Sequence, residues 1–256
     1  VTLDYAQRMA CTACASPGGS CQFLGTAATS QVIGEALGLS VMHSALAPSG
    51  QAVWLELARA SSKALLNLEQ QGASYQCFAP DIDQLHVINH LTGEPVEGES
   101  RNVMVEAARI ARGNVLDLAG ASADDYDALV VPGGFGAAKN LCNFAVAGAD
   151  MEIQPDFLRV AQAFHQAGKP IGLICIAPVM AAAICGEGTQ CTIGNDADTA
   201  AAIEAMGGQH LDCPVDEARV DASRKMVTTP AYMLAGSVSE AYAGISDCVR
   251  EVLALA

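Results

Sequence analysis

Residues 168–180 read GKPIGLICIAPVM. From Pro170 to Ile176 the run is apolar without alternation, the pattern of a strand buried on both faces. Pro178 follows two residues later and suits the first turn of a helix, where its missing N–H would have no partner anyway. Cys175 therefore falls on a sharp strand-to-helix turn. In an open α/β sheet ligands bind outside the carboxyl ends of the strands, and a helix start beside a thiol favours the thiolate. This makes Cys175 a candidate nucleophile. The other reading is a small buried core residue, the commoner fate of cysteine.

Working outward, DALVVP (127–132) has the same buried-strand character and runs into Gly133, Gly134, Phe135 and Gly136. Glycines at the end of a strand let backbone N–H groups face a ligand, so Gly133 or Gly134 together with Ile176 could donate to an oxyanion. A tight turn alone would also explain them. The spacing fits neither the Walker nor the dinucleotide pattern. Further strands are expected at 73–79 and around Val115, with helices at 102–112, 155–167 (stopped by Gly168), 198–206 and 237–254. Strands alternating with helices of this length imply a mostly parallel sheet covered on both faces.

Composition narrows the function classes. No apolar run among the 256 residues reaches the roughly 18–20 needed to span a membrane. A net charge of −15 without any Lys/Arg block argues against a nucleic-acid partner. The charge is uneven: residues 1–64 hold three acids (Asp4, Glu35, Glu56) and three bases (Arg8, Arg59, Lys63), so the whole excess lies beyond them. Such a step indicates two segments of different origin. Ten cysteines in a chain of ordinary domain size, with no signal-like start, fit a reducing compartment, and the expectation is a cytoplasmic protein.

The first segment reads as a loop from Cys11 to Gly25, a helix over 26–38 closed by Gly38, a short apolar strand from Leu39 to Leu46, and the loop Ala47–Gly50 with Ser49 as an N-cap. Helical spacing then continues through Leu68 until Gly72. The expected place of Leu39–Leu46 is the first parallel strand of the sheet, with Ser49 at the same edge as Cys175. His86, His90, His165 and His210 cannot be placed by sequence, and none is nominated as a base.

CFAPDIDQLHVINHLTGE (77–94), SRNVMVEAARIARG (100–113), VVPGGFGAAKNL, GKPIGLICIAPVM, TIGNDADTA (192–200) and VTTPAYMLAGSVSEAYAGI (227–245) together resemble the ElbB family. That family is the glyoxalase-like, isoprenoid-biosynthesis-associated branch of the PfpI superfamily, related to class I glutamine amidotransferases. The resemblance runs over 65–256 and implies a flavodoxin-like three-layer sandwich, a homodimer, and Cys175 as nucleophile with Gly134 and Ile176 as amide donors. The implied activity, of the glyoxalase III-like lyase type, is cofactor-free conversion of small 2-oxoaldehydes such as methylglyoxal to hydroxy acids.

Residues 1–64 do not continue that pattern. MACTACASPGGSCQFLGTAATSQVIGEALGLSVMHSALAPSGQAVW (9–54) is similar instead to part of the dihydroxyacid and sugar-acid dehydratases of the xylonate and phosphogluconate type. The resemblance gives Cys21 as one of three ligands of an iron–sulfur cluster. The other two ligands belong to dehydratase parts this chain lacks, so no bound cofactor is expected. The splice also replaces the ElbB-like first strand and an acidic residue that helps to activate the cysteine. Counting back from Gly72, that acid falls at Leu57; Glu56 is one residue away, turned by about 100° of helix, and is the nominated substitute.

Overall fold

The computed structural model describes residues 73–89 and 91–256. The chain divides into two compact units, Val1–Ser74 and Tyr75–Ala256, and the architecture below is that of the second. It is an α/β fold of helices and mostly parallel strands, and the sequence-derived elements are found close to their expected places.

Strands β1 (Cys77–Ala79), β2 (Ile88–Asn89) and β3 (Glu94–Pro95) come first, followed by helix α1 (Val103–Ile110) and β4 (Val115–Asp117). Next are β5 (Leu129–Val131), α2 (Pro155–Gln166), β6 (Ile171–Ile174) and α3 (Ala181–Cys185). The chain closes with β7 (Gln190–Cys191), α4 (Ala197–Ala205), β8 (Gln209–His210), β9 (Arg219–Asp221), β10 (Met226–Thr229) and α5 (Val238–Leu255). The main sheet has the order β5-β6-β10-β9, parallel except for the edge strand β9. All four residues of β6 and all four of β10 are buried, which explains why both strands read as continuous apolar or β-branched runs.

The helices carry the chemistry that ends and packs them. Gln154 caps α2 by accepting from the Phe157 N–H at 2.6 Å, Pro155 occupies its first turn, and Phe157, Val160, Ala161 and Phe164 form the buried stripe at helical spacing. Helix α5 starts at Ser237, whose hydroxyl accepts from the Glu240 N–H, while Glu240 accepts in return from the Gly236 N–H at 2.8 Å. Gly244 lies where α5 presses on β10: a Cβ there would stand 2.8 Å from Thr229 Oγ1.

A second parallel ladder, β1 with β4, pairs Cys77 with Val115 and Ala79 with Asp117. Among the described residues no ladder joins it to β5. Phe78 ties it to the core through an edge-to-face contact with Tyr126, ring centroids 5.5 Å apart. The expected strand Leu39–Leu46 and the Ser49 loop lie outside the described residues.

Candidate active site

Three neighbouring parallel strands, β5, β6 and β10, end at one edge, and the turns that leave them meet around Cys175. The turn after β6 holds Cys175 at φ +64, a left-handed conformation in which a non-glycine residue is strained. The backbone is fixed there from two sides. The Cys175 N–H donates to the Thr229 carbonyl at 2.9 Å, which extends the β6–β10 ladder into the turn. On the other side Gly133 approaches so closely that a Cβ would stand 2.8 Å from Cys175 Cβ and 2.9 Å from the Ile176 nitrogen. Glycine at 133 is thus demanded by the elbow beside it.

The thiol is buried, at 7% exposure. Burial pushes its pKa up, because a thiolate loses hydration there; the backbone N–H groups of Ile176, Gly134, Met233 and Tyr232 face the sulfur and oppose that shift without overcoming it. The sequence reading expected the helix start to lower this pKa, and the structure places the thiol on the other side of its ordinary value. The segment after the elbow begins as a single 3₁₀ stretch, Ala177–Met180, before α3, and its amide contribution is smaller than the loss of water.

Of the nominated residues, Cys175, Gly134 and Ile176 come together, and Glu56 and Cys21 lie outside the described residues. The turn after β10 was not nominated. It brings Tyr232 and Met233 to the sulfur through Ala231 at φ +44. Its signal was present in MVTTP, a buried strand halted by proline, which has the same form as VVPGG and GLICIAP.

The histidines are distributed. His210 is buried and accepts from the Ile193 N–H through Nε2 at 3.3 Å, a structural use. His165 is on α2 with Nδ1 buried and unpartnered. His86 Nδ1 stands 3.1 Å from Lys139 Nζ, on the segment that follows Gly134. Among the described residues no group of three or more His, Cys, Asp or Glu is placed to hold a metal.

A fold with a cysteine elbow at the sheet edge is that of the class I glutamine amidotransferase-like proteins. The comparisons agree. The glutamine amidotransferase-like class 1 domain-containing protein 3, mitochondrial, of Homo sapiens is 50% identical over 204 residues, 76% of each chain. The crystal structure of an isoprenoid biosynthesis protein with an amidotransferase-like domain from Ehrlichia chaffeensis superposes with a TM-score of 0.67 at 36% identity, covering 75% of this chain and 87% of that one.

The model of the dihydroxy-acid/6-phosphogluconate dehydratase N-terminal family matches residues 1–130. D-xylonate dehydratase YjhG of Escherichia coli is 49% identical over 111 residues, 43% of this chain but 16% of the enzyme. The chain belongs to the class I glutamine amidotransferase-like family, in its ElbB-like branch, and also carries the dehydratase N-terminal family at its beginning.

The expected cytoplasmic location is corrected. The human relative is named as a mitochondrial protein, which points to mitochondria rather than the cytoplasm. The expectation rested on free cysteines, and free thiols indicate reducing surroundings without choosing among compartments.

Proposed function

We propose that this chain is a cysteine-dependent enzyme that converts small 2-oxoaldehydes, methylglyoxal among them, to 2-hydroxy acids without a cofactor. The observation that carries the reading is Cys175 at φ +64 with four backbone N–H groups directed at its sulfur. The Cys175 thiolate adds to the aldehyde carbon and forms a C–S bond, leaving an alkoxide. Because the Cys175 N–H is already committed to Thr229, the donors for that oxygen are Gly134 and Ile176. A base moves the aldehyde-carbon proton to the neighbouring carbon, so the first carbon is oxidised to a thioester and the second is reduced to an alcohol. Water then cleaves the thioester, releasing the hydroxy acid and the thiol. The sum is addition of one water, and no external oxidant or reductant is needed.

Among the described residues no charged side chain shifts the Cys175 thiol. With a buried thiol above its ordinary pKa, slow turnover that rises with pH is the expected behaviour. Replacing Cys175 with Ser or Ala is expected to reduce methylglyoxal consumption to the rate without protein; turnover equal to wild type would overturn the reading.

The dehydratase match favours one second reading, sugar-acid dehydration through a cluster held in part by Cys21. Iron and sulfide analysis of protein purified without oxygen decides it: stoichiometric iron supports that reading, and iron-free protein removes it.

A further inference from the structure

The turn that supplies Gly134 leads to a cation, Lys139, with no ion-pair partner among the described residues. Phe135 is 66% exposed, and Lys139 folds back over its ring with Nζ 5.2 Å from the centroid. The same ammonium stands 3.1 Å from His86 Nδ1. Ammonium only donates, so His86 Nδ1 is the acceptor and the ring proton remains on Nε2. The pair is held in register by a second contact across the same two segments, the Leu85 N–H donating to Asn140 Oδ1 at 2.9 Å. Eight other described Lys and Arg side chains form ion pairs or reach carbonyls and are accounted for in that way, whereas no described carboxylate lies within ion-pair distance of Lys139.

We infer that Lys139 and His86, beside the Phe135 ring, form a subsite for a carboxylate, and that the aldehydes this enzyme takes carry one at the end remote from the carbonyl. Lys139 keeps two free N–H donors and His86 offers Nε2–H, three donors suited to a planar anion. The net charge of −15 does not forbid it. At physiological salt, fields are screened beyond about 8 Å, so a nearby ammonium outweighs distant acids. The aromatic ring would cover the apolar chain between the two ends of the ligand. The inference rests on Cys175 as the carbonyl-reacting group, and it adds the chemical class of the substrate.

The test has a binding arm and a turnover arm. Binding uses 4-oxopentanoate, which has the carboxylate but no aldehyde, against the neutral ketone 2-pentanone, by calorimetry on the full chain. The acid is expected to bind wild type more tightly, to weaken about 10- to 100-fold in Lys139→Met, the range of a hydrogen bond to a charged group, and to be retained in Lys139→Arg. Turnover compares 4,5-dioxopentanoate with methylglyoxal: kcat/KM for the former should fall by a similar factor in Lys139→Met, so that the preference for the acid over methylglyoxal falls with it. Equal binding of acid and ketone to wild type overturns the subsite without any variant, as does undiminished acid binding by a folded Lys139→Met. Lys139-dependent binding with no turnover of either aldehyde leaves the subsite standing and removes the 2-oxoaldehyde reading instead.

Discussion

The described residues contain two parallel ladders with the same hydrogen-bond pattern and nearly opposite surroundings. In β6, Ile171, Leu173 and Ile174 are fully buried, with β5 on one side and β10 on the other. In β4, Leu116 is 50% exposed and every residue of the strand is at least partly open. Helix α1, which packs near it, has no buried residue, and Val105 on that helix is 59% exposed. Pairing alone does not make a core. A parallel ladder gains its stability from side chains covered on both faces, and of the three turns that gather at Cys175 two leave fully buried strands and the third leaves β5 at its buried residue, Val131. A nucleophile held at φ +64 needs such a frame, since strain persists only where surrounding structure fixes it.

The matched pair Leu173 and Leu116 measures that difference. Leu173→Ala is expected to cost about 2–5 kcal/mol, the range for a fully buried leucine whose cavity only partly closes. Urea denaturation with unchanged slope would record it as a lower midpoint. A loss below about 1 kcal/mol would mean that the covered ladder tolerates a void and does not hold the elbow rigidly.

The same contrast explains what could be read from the chain. GLICI showed its burial directly, because a strand covered on both faces has no alternation to confuse with a helix; DALVVP has the same pattern, yet only Val131 of β5 is buried. The Cys175 turn and its Gly134 and Ile176 neighbours followed from those strands. The sign of the thiol shift did not follow, because it depends on how much water is excluded, a tertiary quantity. Nor did the Lys139–His86 contact, which joins residues 53 apart. The turn at Ala231–Met233 was legible in form but holds no cysteine, histidine or acid to attract notice. The shortness of β1 and β4, three residues each, follows from sparse cover rather than from low β-propensity in CFA or VLD.

An intermediate effect is expected at Asp221, which pins the edge of the covered sheet. Its carboxylate accepts from Ser223 Oγ at 2.6 Å, from the Gln190 N–H at 3.0 Å and from Arg224 Nη1 at 3.2 Å, joining the β9–β10 turn to β7. Asp221→Ala would leave three part-buried donors without their acceptor, a loss of about 1–3 kcal/mol. Burial by itself would raise the Asp221 pKa, yet the hydrogen bonds from Ser223 and Gln190 and the Arg224 charge prevail, and it lies below the ordinary carboxylate value. A depressed folded-state pKa contributes stability above the unfolded value of about 3.9, and that part disappears as pH falls through the folded value. The stability difference between wild type and Asp221→Ala should therefore be flat from about pH 7 to 5 and shrink below about pH 4. A difference that grows on acidification would reverse the assigned direction.

The smallest effect is predicted at Leu116. Its side chain is half open in a strand whose partner β1 contributes Phe78 on the neighbouring position, so truncation removes little apolar surface from shelter. Leu116→Ala should change stability by no more than about 0.5 kcal/mol, as for surface sites free of special contacts. It should leave methylglyoxal turnover unaltered, because no hydrogen bond of the described site passes through β4. Denaturation of Leu116→Ala beside Leu173→Ala keeps residue type, strand direction and substitution constant, leaving cover as the variable. A ratio of several-fold between the two losses supports the contrast. Equal losses would mean that β4 is covered in the folded protein to the same degree as β6, and the exposed ladder would then be a buried one.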